Sequence, residues 1–289
     1  MAKRQAKART DFPPVIPVGR KLGAHEDIYH WVLTLRWTSF FALATAAFLL
    51  LNLLFAGLYA LQPGCVSNAR SFADLFYFSV QTIGTIGYGT MTPVTHWANA
   101  LVTAEALAGL LVTALVTGIT FARFARPTAR ILFSEQALIT PRNGVPTLMF
   151  RMANWRRNQI IEAQLNVMLL RTERTKEGEV MRRPEMLKLV RDRNPFFALT
   201  WTAMHTIDES SPFYGEGAMA KLREEGAELF ATVTGMDETI SAQVHARFRY
   251  SLDDIVEGRK FADVLTIRED GARIIDYDKF HVTLPVEPT

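Results

Sequence analysis

The sequence predicts a two-span α-helical membrane domain followed by an all-β sandwich. Three observations carry that prediction: two apolar runs of membrane length in the first half, a glycine-bearing pentapeptide between them, and strand-period alternation confined to the second half. The chain has 289 residues, 49% of them hydrophobic, which is an ordinary share. What informs is how unevenly they are distributed.

Residues 1–24 combine Pro13, Pro14 and Pro17 with Lys3, Arg4, Lys7, Arg9, Arg20 and Lys21, the composition of a basic, extended or disordered arm. Over 25–36, Ile28, Trp31, Val32 and Leu35 recur at helical spacing, while His25, Glu26, Asp27 and His30 take the other positions. That pattern fits an interfacial helix, and it fits a plain extension of the following span equally well. Residues 37–61 carry no charge at all, and about 25 residues at 1.5 Å each reach roughly 37 Å, enough to cross a bilayer with some tilt. The second span is predicted over 95–124, with Glu105 its one acid. The first run starts too late and is too long for the apolar core of a cleavable signal peptide.

Lysine and arginine set the orientation. Arg36 joins the basic arm ahead of the first span, and Arg123, Arg126 and Arg130 follow the second, while the segment between offers only Arg70. Both termini are therefore expected on the cytoplasmic side. The single cysteine, Cys65, falls in the extracytoplasmic connection, has no intrachain partner, and receives no role.

Between the spans, residues 72–83 are too few to cross a membrane and read as a helix that enters and returns. Its C-terminal end would favour a cation. Directly after it comes Thr85-Ile86-Gly87-Tyr88-Gly89. A dehydrated K+ needs its water shell replaced, and rings of backbone carbonyls do this without side-chain charge. For successive carbonyls to face one axis, alternate residues must take positive φ, which Gly87 and Gly89 adopt without steric cost. Thr85 would add a hydroxyl ring and Tyr88 would brace the strand from behind. One chain supplies one such segment, so a closed ring of about four requires a homotetramer, with K+ at the carbonyls the only metal expected.

Beyond Pro127 the chain changes character. Alternation appears in Ala163-Leu165-Val167-Leu169, in Leu199-Trp201-Ala203 and in Val244-Ala246-Phe248-Tyr250, with turn signals at Asn143-Gly144, Glu177-Gly178 and Asp270-Gly271. Residues 127–289 are therefore predicted to form a sandwich on the cytoplasmic side. The histidines, His25, His30, His96, His205, His245 and His281, are scattered without metal-ligand spacing, and no phosphate-cradling glycine loop occurs. Asp208-Glu209 reads as a loop before Ser210-Ser211-Pro212 rather than an acid/base pair. No enzyme, no organic cofactor and no nucleic-acid partner is expected.

Several motifs together resemble the inward-rectifier potassium channels, and their bacterial branch, KirBac, most closely. They are the pentapeptide, the exit Phe121-Ala122-Arg123-Phe124-Ala125-Arg126-Pro127, Leu132-Phe133-Ser134, the loop Ile207-Asp208-Glu209-Ser210-Ser211-Pro212 and a Gly235-Met236 turn. The resemblance implies a bacterial inner-membrane homotetramer whose two-span potassium-channel pore domain, 37–126, stands on immunoglobulin-like β-sandwiches, with the helix at 25–36 as a slide helix. By position it implies a gate at Phe121, a hinge at Gly109 and a constriction of the cytoplasmic pore by a loop at Ala242, Gln243, Val244, His245 and Ala246. Gly118 would let helices approach closely. His245, if it lined the pore, would make conduction sensitive to mild acid.

Three departures modify that picture. Thr113 stands where strongly rectifying relatives carry an acid, which implies weak rectification. Gln81 and Met91 replace a glutamate and an arginine together, so filter bracing must come from hydrogen bonds and packing. Arg36, Trp37, Arg123, Arg126 and Arg130 match positions that bind phosphoinositide headgroups, an anionic-lipid modulator, but Thr38, Thr128 and Ala129 break the match. Inhibition by phosphatidylinositol bisphosphate is the expected sign. Glu105 is expected behind the filter, hydrogen-bonded, rather than in lipid. A non-conducting membrane-tethered β-domain that senses lipid or a partner, and a pore opened by a small cytoplasmic molecule, stay open as alternatives.

Overall fold

A computed structural model describes residues 28–156, 158–269, 271 and 273–286. The basic arm at 1–24, and His25, Glu26 and Asp27 of the predicted slide helix, lie outside the described residues. The described chain divides into two compact units at the Arg126/Pro127 boundary.

The first unit is helical: α1 (Ile28–Thr34), α2 (Trp37–Ala60), α3 (Phe72–Ile83) and α4 (His96–Phe124). Arg36 is extended, with φ −64° and ψ 149°, so α1 is a separate helix and not an extension of α2. Helices α2 and α4 are long and apolar enough to cross a membrane. Leu50, Leu54, Leu110 and Leu115 are each more than half exposed, an apolar surface that water would not tolerate over such lengths. Helix α3 starts at a reciprocal cap, in which Ser71 accepts from the Asp74 amide while the Asp74 carboxylate accepts from the Ser71 amide. Its C-terminus packs tightly on α4: a Cβ on Gly109 would stand 3.1 Å from Ile83 Cγ2. Phe55, Tyr59, Phe78, Ile83, Ala98 and Leu101 close this small core.

The second unit is the predicted β-sandwich. Its elements are β1 (Ile131–Phe133), β2 (Ala137–Arg142), β3 (Val145–Asn154), β4 (Ile160–Arg174), β5 (Val180–Met186), β6 (Arg193–Phe197), β7 (Thr200–Thr206), α5 (Ala218–Glu224), β8 (Glu228–Asp237) and β9 (Ala242–Ser251). After them come β10 (Ile255–Glu257), β11 (Arg259–Phe261), β12 (Leu265–Ile267), β13 (Arg273–Ile275) and β14 (Thr283–Pro285). One five-stranded sheet runs β1-β3-β2-β10 with β7 on β3; the other runs β5-β4-β8-β9 with β6 on β4. Pairing within them is antiparallel except between β10 and β2. Leu148, Phe150 and Met152 of one sheet share a core with Leu165, Val167, Leu229, Val233 and Phe248 of the other. Each such side chain contributes about 1.5–3 kcal/mol by leaving water.

The predicted alternation holds in β4 from Ala163 to Leu169, every second residue being buried. A bulge sets its phase: Glu162 takes φ 50° and the pairing with β8 slips between Ile161 and Gln164. Opposite the bulge stands Gly235, where a Cβ would meet Ile160 Cγ2 at 2.5 Å. Gly235 and Met236 are thus strand residues of β8, not the turn that the sequence suggested. Leu199, read as the start of an inward stripe, precedes its strand and is 41% exposed.

Candidate functional site: the filter segment and its supports

Between α3 and α4 the backbone takes positive φ at every second residue: Thr85 at 55°, Gly87 at 56° and Gly89 at 80°. Such alternation turns successive carbonyls to one side, the arrangement that dehydrates a cation. The glycines adopt it freely. Thr85 does so at a cost of about 1–2 kcal/mol, so its surroundings must hold it there.

The holding is visible on both sides of the segment. On the pore-helix side, the Thr85 amide donates to Thr82 O at 3.1 Å, the Ile86 amide to Gln81 O at 2.8 Å and the Gly84 amide to Val80 O at 2.9 Å. On the far side, Asn68 Nδ2 donates to Thr90 O at 2.7 Å and the Ser67 amide to Thr92 O at 2.8 Å, beside a β-bridge between Val66 and Pro93. Cys65 belongs to the same brace. Its carbonyl accepts from the Val94 amide at 2.9 Å, its thiol donates to Tyr59 O at 3.3 Å, and burial pushes that thiol's pKa up. Met91 packs against the helical core. Hydrogen bonds and packing thus stand where a glutamate–arginine pair is missing. Tyr88, expected to brace the strand, is 71% exposed within the chain.

Behind α3 the one acid of the spans is fully buried. Tyr59 donates to Glu105 Oε2 at 2.6 Å and Ser79 is hydrogen-bonded to Oε1. The acid is therefore withdrawn from lipid, as expected.

Along α4 the helix runs unbroken past Gly109 and Gly118. Thr113 and Phe121 are both exposed in the single chain, Phe121 at 73%. Gly118 has open space around it. At the foot of α4, Arg123 turns inward: its terminal nitrogens donate to Val32 O and Leu35 O at the end of α1, and its guanidinium lies 4.6 Å from the Trp37 ring and 4.9 Å from that of Phe40. Phe124 rests on Trp37 with ring centroids 4.6 Å apart. Arg36 and Arg126 are exposed, and Arg130, also exposed, belongs to the second unit. Of the five predicted headgroup positions, the structure thus joins two, Trp37 and Arg123, to each other.

The segment predicted as a loop at 242–246 is strand. Ala242, Gln243, Val244, His245 and Ala246 open strand β9, paired with residues Asp237 to Val233 of β8. The inward alternation of Val244, Ala246, Phe248 and Tyr250 draws the strand back to Ala242, and Val244, 1% exposed, is core. Gln243 and His245 remain on the exposed face.

The loop at 207–212 is anchored rather than reactive. His205 Nδ1 is 2.7 Å from Lys188 O and its Nε2 is 2.8 Å from Ser211 Oγ. The carbonyl can only accept, so Nδ1 carries a proton and donates to it, and Nε2 is hydrogen-bonded to the serine hydroxyl. Asp208 accepts from the Ser210 amide and hydroxyl, and these bonds hold its carboxyl below the usual range. Among the described residues no group of three His, Cys, Asp or Glu is placed to hold a metal.

Comparison with known proteins places both units. The family model described as inward rectifier potassium channel C-terminal domain matches residues 131–289, and the one described as ion channel matches 38–126. The chain is 47% identical over 263 residues to the inward rectifier potassium channel Kirbac3.1 of Paramagnetospirillum magnetotacticum, covering 90% of this chain and 89% of that protein. It is 32% identical over 231 residues to G protein-activated inward rectifier potassium channel 3 of Homo sapiens, covering 77% of this chain and 58% of that one. With inward rectifier potassium channel irk-1 of Caenorhabditis elegans the identity is 29% over 286 residues, covering 90% and 52%. The chain thus spans little more than half the length of these two animal relatives.

Proposed function

Since this chain belongs to the inward rectifier potassium channel family, we propose that it forms a homotetrameric, passive K+ conduit of the bacterial inner membrane with both termini in the cytoplasm. The family is one of ion channels and not of enzymes. One observation carries the reading: the alternation of left-handed backbone at Thr85, Gly87 and Gly89, held on one side by α3 and on the other by the 65–68 loop. Four copies of Thr85, Ile86, Gly87, Tyr88 and Gly89 supply the carbonyl layers that take the place of water around K+. The exposure of Tyr88 in one chain fits a role against a neighbouring subunit.

The exposed face of α4 lines the path. Thr113 makes the cavity neutral and rectification weak, and Phe121 closes the helix crossing by dewetting. Gly109 is the hinge, held where Ile83 leans on it. Exposed Arg36, Arg126 and Arg130 meet anionic headgroups, each contributing about 1 kcal/mol beside an anionic leaflet; Trp37 and Arg123, joined to each other, are the remaining members of the predicted set. Phosphatidylinositol bisphosphate inhibits. Gln243 and His245 are the members of the 242–246 segment available to a cytoplasmic pore, since Val244 is spent in the core.

The test is barium-sensitive K+ uptake by liposomes holding the full chain, with and without phosphatidylinositol bisphosphate. Uptake is expected, lowered by the lipid and abolished by Gly87→Ala in a surviving tetramer. No uptake would sink the conduction reading, and activation by the lipid would reverse the proposed sign.

A further inference from the structure

A chain of buried polar groups crosses the helical unit, and counting its protons determines the state of Glu105. Asn52, Tyr59, Ser79 and Glu105 are all fully buried. Tyr59 O–H donates to Glu105 Oε2 at 2.6 Å, Ser79 Oγ is hydrogen-bonded to Glu105 Oε1, Ser79 Oγ lies 3.0 Å from Asn52 Oδ1, and Asn52 Nδ2 donates to Phe48 O at 2.7 Å. The partners facing Glu105 are hydroxyls and not cations.

The Phe48 carbonyl can only accept, so it fixes the Asn52 amide with Nδ2 towards it; the flipped amide would set two oxygens 2.7 Å apart. Asn52 Oδ1 therefore faces Ser79 and takes its proton. A serine hydroxyl has one proton to give. Once that proton is spent on Asn52, the bond between Ser79 and Glu105 Oε1 forms only if the proton belongs to Glu105.

We infer that Glu105 is a neutral carboxylic acid, donating to Ser79, and that through this bond it is a positioning residue for the pore helix and its filter. The hydrogen bonds then run one way, from Tyr59 to Glu105, Ser79, Asn52 and the Phe48 carbonyl, each of the three hydroxyl protons having its own acceptor. Neutrality also removes the cost of a charge among apolar helices. Ser79 lies in the last turns of α3, whose Gln81 and Thr82 carbonyls hold the Ile86 and Thr85 amides. Helices in a bilayer gain no hydrophobic attraction for one another, so a polar chain that joins α2, α3 and α4 sets how α3 leans. The effect on permeation rests on the conduction proposed above, whereas the protonation state does not.

The test has two arms on the reconstituted full chain. In the first, infrared spectra are recorded near pH 9, where solvated carboxyls are ionised. The carbonyl stretch of a protonated carboxylic acid is expected in the native chain and absent from Glu105→Gln; an absent band in the native chain overturns the neutral acid, whether or not the protein conducts. In the second arm, Glu105→Gln keeps an acceptor for Tyr59 and a donor for Ser79, and is expected to retain K+ flux and discrimination against Na+. Ser79→Ala and Glu105→Leu break the chain, and each is expected to lower flux or discrimination about tenfold, the usual scale for a buried bond lost. Glu105→Gln failing as badly as Glu105→Leu would show that a charge is needed and overturn the inference. Native flux and discrimination in both chain-breaking variants would overturn the positioning role. Ser79→Ala, which removes a single oxygen, keeps this arm decisive if Glu105→Leu does not assemble.

Discussion

Arg123 holds its guanidinium 4.6 Å from the centre of the Trp37 ring while its terminal nitrogens donate to the carbonyls of Val32, in α1, and of Leu35, just past its C-terminus. A cation is favourable at a helix C-terminus and over an aromatic face, and here one side chain does both. It thereby ties the foot of α4 to α1 and to the start of α2, two residues beyond Phe121. If pore opening moves that foot, removing the tie lowers its cost. Arg123→Met is expected to raise K+ uptake severalfold, and Arg123→Lys less, because an ammonium lacks the planar fork that serves two carbonyls. Unchanged or lowered uptake from an intact tetramer would refute the tie.

Asn68 holds the far end of the 85–89 segment in two ways: its amide donates to Thr90 O at 2.7 Å, and its backbone sits at φ 59°. Two substitutions separate them. Asn68→Gly keeps the backbone and loses the bond; Asn68→Ala loses the bond and adds about 1 kcal/mol or more of left-handed strain. K+ uptake after dialysis into low K+ should fall in the order native, Asn68→Gly, Asn68→Ala. Equal uptake by all three would show that the brace is idle.

Helices α2, α3 and α4 and the left-handed alternation after α3 were legible in the sequence because each is a continuous signal: a long apolar run, a short run ending at Gly84, an alternation of glycines. The brace at 65–68 was not, since Ser67 and Asn68 meet Thr92 and Thr90 only after the chain has passed through α3. The Glu105 chain was half legible. A lone acid in an apolar span demands a partner, but Tyr59 and Ser79 lie 46 and 26 residues away and look like ordinary polar interruptions. At 242–246 the strand was legible in the alternation from Val244 to Tyr250.

Gly235 has no room for a side chain, with a Cβ landing 2.5 Å from Ile160 Cγ2 and 3.1 Å from Ala163 Cα. The bulge at Glu162 presses the β4 backbone against β8, so relief would need a strand to move. Gly235→Ala should destabilise the β-sandwich by about 1–3 kcal/mol. A denaturant midpoint unchanged from the native chain would mean that the bulge yields freely.

His281 makes the β-sandwich sensitive to acid. Its Nδ1 accepts from the Glu135 amide at 3.2 Å, and burial holds its pKa below the ordinary imidazole value, with the nearby Glu135 carboxylate opposing and Arg151 assisting. A neutral ring is thus the folded form, while the unfolded chain takes up a proton near pH 6.5. Stability is complete above that pH and declines as pH falls towards the depressed folded value. The denaturant midpoint should therefore be lower at pH 5 than at pH 7.5, and His281→Gln should flatten that difference; an equal slope in the variant would assign the acid sensitivity to other groups.

In the proposed tetramer Thr113 lines the cavity, and a ring of four hydroxyls there offers spermine no counter-charge, so block from the cytoplasmic side should be weak. Thr113→Asp would put up to four carboxylates around the path. At an effective dielectric of about 20, one carboxylate and one ammonium about 8 Å apart attract by about 2 kcal/mol, more than the factor of ten that 1.4 kcal/mol represents. Even one ionised carboxylate in the ring should therefore tighten spermine block about tenfold or more, measured as inhibition of K+ uptake over a spermine series. Block as weak in Thr113→Asp as in the native chain would mean that residue 113 faces away from the conduction path, and the exposed face of α4 would then have to be turned towards lipid or a neighbouring helix.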